Sequence, residues 1–578
     1  MAATGAVRPG FGADGDLFFT ADRTGAMQLW FRSSANATET LLTHSDRVGA
    51  YALSPDGSLV AFAEDLGGAQ HWSLSVMRTN GEGPRTLSSV PGRVHHLVGW
   101  VPDQREVLAF ANLREERFFD LLAFPVGGGA PRMLLKHDGS GMKAAILDDG
   151  SVVVSAHRDR LQHHHLIHVD RSGAIRQMTP NEPPALYDNP WSYGSDVLVL
   201  SNRGRDLAGV FRLATDGTCE PLVLADSEVT ALATNGDGWA YELDREGLAE
   251  IHVVSHGTDH MVTGHPLGAL PSEWTGQSLA LDPDGRLAFA LERYESPSAI
   301  YVCDAGGDAR LVVPPSMEGI DLADLPIVES VRFGSFDGLE IPAFLLRPRS
   351  GGCRPTVIDL HGGPEAQSRP RWFPWTVALV GLGFNVLFPN VRGSTGYGVR
   401  YRSLDDVHLR MHSVQDVDAA SDWLAREGIA PTGHIGVMGA SYGGYLALAA
   451  AAFFPRRFAA SVAIRAVSDY VAQFERVPPW RRPLREVEFG SLARDREFLA
   501  SISPANFVDS IEAPILVIHG ANDSLVSVLQ AERVVEPLRR RGHDVTYVRY
   551  EDEGHGFAHA HNLADATKRI VDFFSSRI

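Results

Sequence analysis

Short apolar runs separated by polar turns dominate the first half of the chain. An Asp-Gly or similar turn followed by an apolar strand recurs at Asp14–Phe19, Pro55–Phe62, Pro102–Phe110, Asp149–Val154, Gly194–Leu200, Gly236–Tyr241 and Pro283–Phe289. The interval is about 42–48 residues, the repeat length of propeller blades rather than of helical solenoids. Within a unit a polar loop leads to a second apolar strand, as at Gln28–Phe31, Leu121–Phe124 and Ala299–Val302. Alternating strands with turns every 8–12 residues or so indicate antiparallel sheets. Seven units predict a seven-bladed β-propeller over residues 8–322. A pair of β-sandwiches is the other reading of many short strands, and it does not call for such regular spacing.

From about Leu325 the period changes. Val328–Phe333 and Ile341–Leu346 read as a strand pair, followed by short apolar runs at Thr356–Leu360, Asn385–Phe388, His434–Met438, Pro514–Ile518 and Val545–Tyr550. Between them lie amphipathic segments such as Ser413–Glu427, with Val414, Val417, Ala420, Trp423 and Leu424 on one face. Strand–helix alternation predicts a mostly parallel sheet covered on both sides. Residues 323–578 thus form a second, α/β domain, and no low-complexity linker separates it from the first.

The strongest chemical signal is Gly439-Ala440-Ser441-Tyr442-Gly443, with an apolar run before it and Gly444–Ala450 after it. Strand, sharp turn and helix make the context of a nucleophile elbow, in which glycines flank the serine because strand and helix approach closely. A serine hydroxyl needs a base, and the base an orienting acid. On an α/β-hydrolase fold these follow in the order Ser, Asp, His on loops after later strands. Asp523 follows the run ending at Ile518, and His555 follows the run ending at Tyr550. The expected roles are Ser441 nucleophile, His555 general base and then acid, Asp523 orienter. The oxyanion needs fixed N–H donors. One is expected from Tyr442, the other from the His361-Gly362-Gly363-Pro364 loop, with Gly363 chosen and Gly362 as its alternative.

Other residues carry plainer readings. His361 and His519 also end strands but do not fall where the base belongs. Asp552 and Glu553 beside His555 are expected to face solvent. The run His163-His164-His165 is expected to be a solvated blade loop without a chelate, since neighbouring side chains on a strand alternate faces. No metal or cofactor is called for.

Composition narrows the setting. The chain has 578 residues, 44% hydrophobic and 21% charged, which is ordinary for globular domains. Its 52 Lys plus Arg against 71 Asp plus Glu leave a net charge of −19. Such a surface argues against nucleic acid or anionic membranes as partners. Cys219, Cys303 and Cys353 lie too far apart for a disulfide framework or a zinc site. The first ten residues lack the apolar core of a secretory signal, and no apolar stretch reaches the ~18 residues a membrane span needs. A cytoplasmic protein is the expectation.

The set His361–Glu365, Asn390–Gly398, Gly439–Tyr445, Asn522-Asp523 and Gly554-His555-Gly556 resembles the prolyl oligopeptidase family of serine peptidases. The likeness is greatest to its acylaminoacyl-peptidase and dipeptidyl-aminopeptidase-like branch. The resemblance implies metal-free hydrolysis of short peptides or amides beneath a gating propeller, in an enzyme with scope to form homo-oligomers. It also implies an S1 pocket from Val467, Tyr470 and Trp480, with Phe474 nearby, suited to an apolar or aromatic side chain. An arginine that holds the substrate carbonyl would be Arg482, with Arg481 and Arg485 as alternatives. The first predicted strand opens almost at once, without the leading helix that some members pack against the hydrolase domain. A peptidase releasing an acylated or free residue, or a dipeptide, is the expected function. An aminoacyl-amide hydrolase acting on a puromycin-like aminoacyl-nucleoside, an esterase and a non-catalytic scaffold are the alternatives. A free substrate amine would need a carboxylate in the cavity; Glu115 and Glu116 could serve, although a solvated charge run is the simpler reading.

Overall fold

The computed structural model describes residues 3–65, 71–138, 143–160, 163–180, 185–271, 277–304, 306–477 and 482–578. Within these, the first half winds into seven four-stranded antiparallel sheets in consecutive order, a seven-bladed β-propeller. The recurrent turns open the second strand of each blade: Leu17–Ala21, Leu59–Asp65, Glu106–Glu115, Val152–Arg160, Asp196–Ser201, Trp239–Arg245 and Leu287–Leu291. Aspartate makes these turns by accepting the amide two residues on, as Asp56 does from Ser58 (2.9 Å) and Asp149 from Ser151 (2.8 Å).

The second strands read as unbroken apolar runs because each lies between two other blades. Along Glu106–Glu115, Val107, Ala109 and Ala111 pack toward the second blade with Ala61, Leu74 and Val76. The alternate residues Leu108 and Phe110 pack toward the fourth blade with Val152 and Val154. The period of two thus fills both interfaces. The ring closes where Ala6, Leu17 and Phe19 of the first blade meet Ala288, Ala290 and Ile300 of the last. There the Ala6 amide donates to Ser298 O (3.0 Å).

The second half is an α/β-hydrolase fold around one eight-stranded sheet. Its order is Ile327–Gly334, Glu340–Arg347, Asn385–Pro389, Thr356–Leu360, Ile435–Ala440, Ala460–Ile464, Ile515–Gly520 and Val545–Tyr550. The first two strands join antiparallel, and the remaining six run parallel. The amphipathic segment forms the helix Arg410–Arg426, with Val414, Val417, Ala420 and Leu424 in the core beside Val437 and Leu446. Sequence reading did not single out the strand Ala460–Ile464.

Loops at the carboxyl ends of the parallel strands face the propeller and meet the turns between second and third blade strands. Gly25 O accepts the Ala560 amide (3.2 Å), and Asp206 accepts the Arg400 amide (2.8 Å). Arg369 pairs with buried Glu242, and Tyr294 lies between Phe344 and Phe388. Blades one, five, six and seven therefore carry these contacts.

One expectation fails in the propeller. His163–Val169 is a blade strand, not a solvated loop. His164 is buried, and its ring lies 3.1 Å from Ser155 Oγ and edge-on to His157. Burial and the charge of His164 push the His157 imidazole down to about 3. Imidazoles with partners between strands need no solvent, so the run gives no loop signal. Among the described residues no helix is long and apolar enough to cross a membrane.

Candidate active site

Strand Ile435–Ala440 turns sharply into helix Tyr442–Phe453, and Ser441 sits at the turn with φ 59° and ψ −116°. A β-carbon at position 443 would lie 1.9 Å from Leu360 O, and one at position 439 would lie 2.5 Å from the Gly443 carbonyl. Only glycine fits either place, so the strained serine is held by packing that admits no side chain. The Ser441 amide donates to Ile464 O (2.9 Å), which ties the turn to the neighbouring strand.

Strands Ile515–Gly520 and Val545–Tyr550 end on the same edge and bring Asp523 and His555 to this turn. Ser441 Oγ lies 3.1 Å from His555 Nε2, and His555 Nδ1 lies 2.7 Å from Asp523 Oδ2. With Nδ1 donating to the carboxylate, Nε2 is left to accept the serine proton. Asp523 Oδ1 accepts the amides of Leu525 (2.9 Å) and Val526 (2.8 Å), which fixes the carboxylate plane. Burial raises the Asp523 carboxyl, but His555 and His519 outweigh it and hold it well below the usual carboxylate range. The carboxylate is therefore held in its ionised form beside the imidazole. Such a run can transfer a proton from the alcohol to the imidazole and stabilise the resulting cation.

His519 is wholly buried and braces this loop, its Nε2 2.9 Å from Val526 O and 3.5 Å from Asp523 Oδ2. His361 is half-buried, with ring nitrogens 2.7 Å from Gly362 O and 2.8 Å from Ser394 Oγ, so it shapes the glycine loop. The acids beside His555 divide. Asp552 stays exposed, but Glu553 is 1% exposed and does not face solvent. Its carboxylate accepts the amides of Ala558 (2.7 Å) and His559 (3.1 Å) and the Asn562 amide group (2.9 Å). It closes the loop that carries His555, a job that turns a sequence-adjacent acid inward.

Two amides border the serine. Tyr442 opens its helix, where the first N–H groups have no partner one turn earlier and the dipole favours negative charge. The glycine loop packs against the turn, with a β-carbon at position 362 falling 3.4 Å from Ser441 Cβ. Gly363 has φ 131°, a backbone setting that selects glycine.

Behind Tyr442 lies a charge network that sequence reading missed. Arg410 is wholly buried and pairs with Asp405 and Glu488, both buried too. The Tyr442 hydroxyl donates to Asp405 Oδ2 (2.9 Å), accepts from Arg410 (2.9 Å) and lies 2.8 Å from Ser413 Oγ. Glu488 belongs to helix Arg482–Phe489, so this helix is tied to the serine turn through one side chain. Asp405, Asp406 and Glu488 bring carboxylate oxygens within 4.8 Å of one another, and Arg410 supplies positive charge among them. Burial first, then Glu488, pushes the Asp406 carboxyl up to about 7.

Of the expected pocket residues, Val467, Tyr470 and Phe474 come together with Phe489 in the core, and Tyr470 packs on Tyr445 and Phe489 at 4.9 Å. Trp480 and Arg481 lie outside the described residues. Arg482 and Arg485 are half-buried, one turn apart on their helix, and neither makes an ion pair or hydrogen bond through its guanidinium among the described residues. Burial lowers Arg485, and Glu365, two residues beyond Gly363, opposes that most strongly. Glu115 pairs with Arg117 in an exposed turn of the third blade.

The description "Prolyl oligopeptidase family" matches residues 371–578. Dipeptidyl aminopeptidase BIII of Pseudoxanthomonas mexicana is 25% identical over 578 residues, covering 94% of this chain and 83% of that protein. The acylamino-acid-releasing enzyme of Homo sapiens is 25% identical over 395 residues, 66% of this chain but only 48% of that enzyme. A crystal structure of puromycin hydrolase superimposes with a TM-score of 0.87 at 20% identity, covering 99% of this chain and 94% of that one. That last likeness concerns the fold.

Proposed function

We propose that the chain is a serine peptidase of the prolyl oligopeptidase family and that it removes an N-terminal residue or dipeptide, free or acylated, from short peptides. Ser441 Oγ attacks the scissile carbonyl carbon as its proton passes to His555 Nε2, and Asp523 stabilises the imidazolium. The carbonyl oxygen becomes an oxyanion that accepts hydrogen bonds from the amides of Tyr442 and Gly363. His555 returns the proton to the leaving nitrogen, the C–N bond breaks, and an acyl-enzyme remains. Water, deprotonated by the same imidazole, then releases the acid product and restores Ser441. The observation that carries this reading is the hydrogen-bonded run from Ser441 through His555 to Asp523, at 3.1 and 2.7 Å, beside a strained serine.

The reading treats residues 8–322 as the gating propeller and 323–578 as the catalytic domain. Val467 and Tyr470 shape the pocket for the residue before the cleaved bond. Arg482 holds the carbonyl one residue further back, with Arg485 one turn along the same helix as its alternative. A cytoplasmic setting is part of the reading, supported by three free thiols, one of them exposed.

Turnover of free and acylated aminoacyl and dipeptidyl anilides, with wild type and Ser441→Ala, tests it. Cleavage of at least one anilide class, abolished by the substitution, is the expected result. Undiminished hydrolysis by Ser441→Ala overturns the assignment. Turnover confined to a puromycin-like aminoacyl amide moves the substrate to a small molecule and leaves the chemistry intact.

A further inference from the structure

Arg410 begins helix Arg410–Arg426, where the positive end of the helix dipole disfavours a cation and full burial disfavours it further. Side chains from three other segments hold it there. Asp405, in the connection before the helix, and Glu488 of helix Arg482–Phe489 both pair with the guanidinium, and the Glu488 carbonyl accepts from it as well (2.8 Å). The guanidinium lies 4.4 Å from the centre of the Phe489 ring and 5.2 Å from that of Tyr442. It also donates to the Tyr442 hydroxyl (2.9 Å), which donates in turn to Asp405 Oδ2 (2.9 Å).

The anchors are themselves fixed. A β-carbon at position 393 would lie 2.3 Å from Asp405 Oδ1, so the backbone that confines this carboxylate requires glycine there. Val407, a β-branched residue two places after Asp405, is held at φ 46°. Burial pushes the Tyr442 hydroxyl well above its ordinary range, so it keeps its proton and remains a donor. A buried set of ions is a weak stabiliser beside apolar side chains of similar volume. What this one supplies is direction, because the polar end of Tyr442 meets partners that are each bonded elsewhere.

That direction bears on the reaction. The peptide plane between Ser441 and Tyr442 carries the N–H expected to receive the oxyanion, and it lies in a turn strained at Ser441, φ 59°. Strain of this kind persists where the surroundings over-determine it. The Ser441 amide ties one end of the plane to Ile464 O (2.9 Å), and the Tyr442 side chain ties the other to the ion network. We propose that Arg410 is a positioning residue for acyl transfer: with Asp405 it holds the Tyr442 side chain and thereby aims the Tyr442 amide at the oxyanion. The proposal rests on the peptidase reading, which makes that amide an oxyanion donor. No bond forms or breaks at Arg410 itself. Its other pair, Glu488, sets the helix bearing Arg482 and Arg485 at a constant distance from the serine turn.

Tyr442→Phe tests this most cleanly, because it removes the hydroxyl and leaves the amide, the ring and the ion pairs in place. It is expected to lower kcat on the best anilide substrate by about tenfold to a hundredfold with KM unchanged, as a displaced oxyanion donor should. The acid limb of the kcat profile, set by His555, should stay where it is. Labelling of Ser441 by a fluorophosphonate should slow by the same factor as kcat. Arg410→Met should show a similar loss per folded chain, and the double variant no more than either change alone. Adding Asp405→Asn and Glu488→Gln to Arg410→Met should recover part of its stability and none of its kcat. Wild-type kcat and labelling in Tyr442→Phe overturn the proposal. So do losses that multiply in the double variant, or a kcat that returns together with stability. A wild type that is labelled at Ser441 but cleaves no anilide counts against the peptidase reading, and the labelling rates then decide the role of Arg410 by themselves.

Discussion

Two arginines of the catalytic half are withdrawn from water and served in opposite ways. Arg410, 0% exposed, is bound by Asp405, Glu488 and the Tyr442 hydroxyl. Arg465, near the same serine turn, has long-range carboxylates but no bonded partner among the described residues. The first arrangement supports: it locks helix Arg482–Phe489 and Tyr442, the residue after Ser441, into one body. The second holds a partly buried charge without a bonded partner, which is unfavourable for the fold. A buried charge with its partners built in reads as architecture.

The contrast can be broken in graded steps. Asp523, whose charge offsets part of what burial takes from Arg465, has the largest expected effect. Asp523→Asn should lower kcat on the order of 10⁴-fold through loss of the imidazole's orientation and tautomer, with little change in KM. Steady-state kinetics on a dipeptidyl anilide checks this, and a change in KM alone would assign Asp523 to binding. Arg410→Met should come next, as a stability loss of about 3–5 kcal/mol, because it strands two buried carboxylates. Urea unfolding reads it, and replacing Asp405 and Glu488 by neutral isosteres in the same chain should recover part of the loss. A variant as stable as wild type would show that the network does not hold this region.

Asp244 extends the contrast to an acid at the domain boundary. It is 1% exposed, beside Glu242, and its Oδ2 has no hydrogen-bond partner. Burial first, with Glu242 and Glu228 adding to it against Arg369, pushes its carboxyl up to about 7. The folded chain thus keeps a proton that the unfolded chain releases near pH 4. Stability from this group is complete below about pH 4 and declines as pH rises to about 7. Asp244→Asn should therefore raise Tm relative to wild type by a few degrees at pH 8 and by much less at pH 5. An equal shift at both values would remove Asp244 from the titrating groups.

The legible parts of this molecule are those where one residue type satisfies a geometric demand. The Gly439, Ser441 and Gly443 spacing identifies the elbow because a β-carbon at position 443 would overlap Leu360 O. The Asp-Gly turns mark second blade strands because aspartate makes the turn and both strand faces are buried. Strand Ala460–Ile464 escaped because its five residues are mostly small, even though Pro455-Arg456-Arg457 breaks the chain between it and the alanine-rich helix. The buried charges escaped for a different reason. Arg410 near the start of a polar helix, Glu553 in an acidic turn and His164 in a histidine run look like surface residues until tertiary contacts enclose them. Local pattern records which side chains a segment carries, whereas partners for a buried charge come from segments far away in the chain.

The alcohol of Ser441 can be tested directly with a fluorophosphonate, which phosphonylates a serine only when a neighbouring base removes its proton. Intact mass and peptide mapping should show one adduct per chain, on the segment containing Ser441, with labelling lost in Ser441→Ala and much slower in His555→Ala. Active enzyme that stays unlabelled at Ser441, or that carries its adduct on another serine, would contradict the site described above.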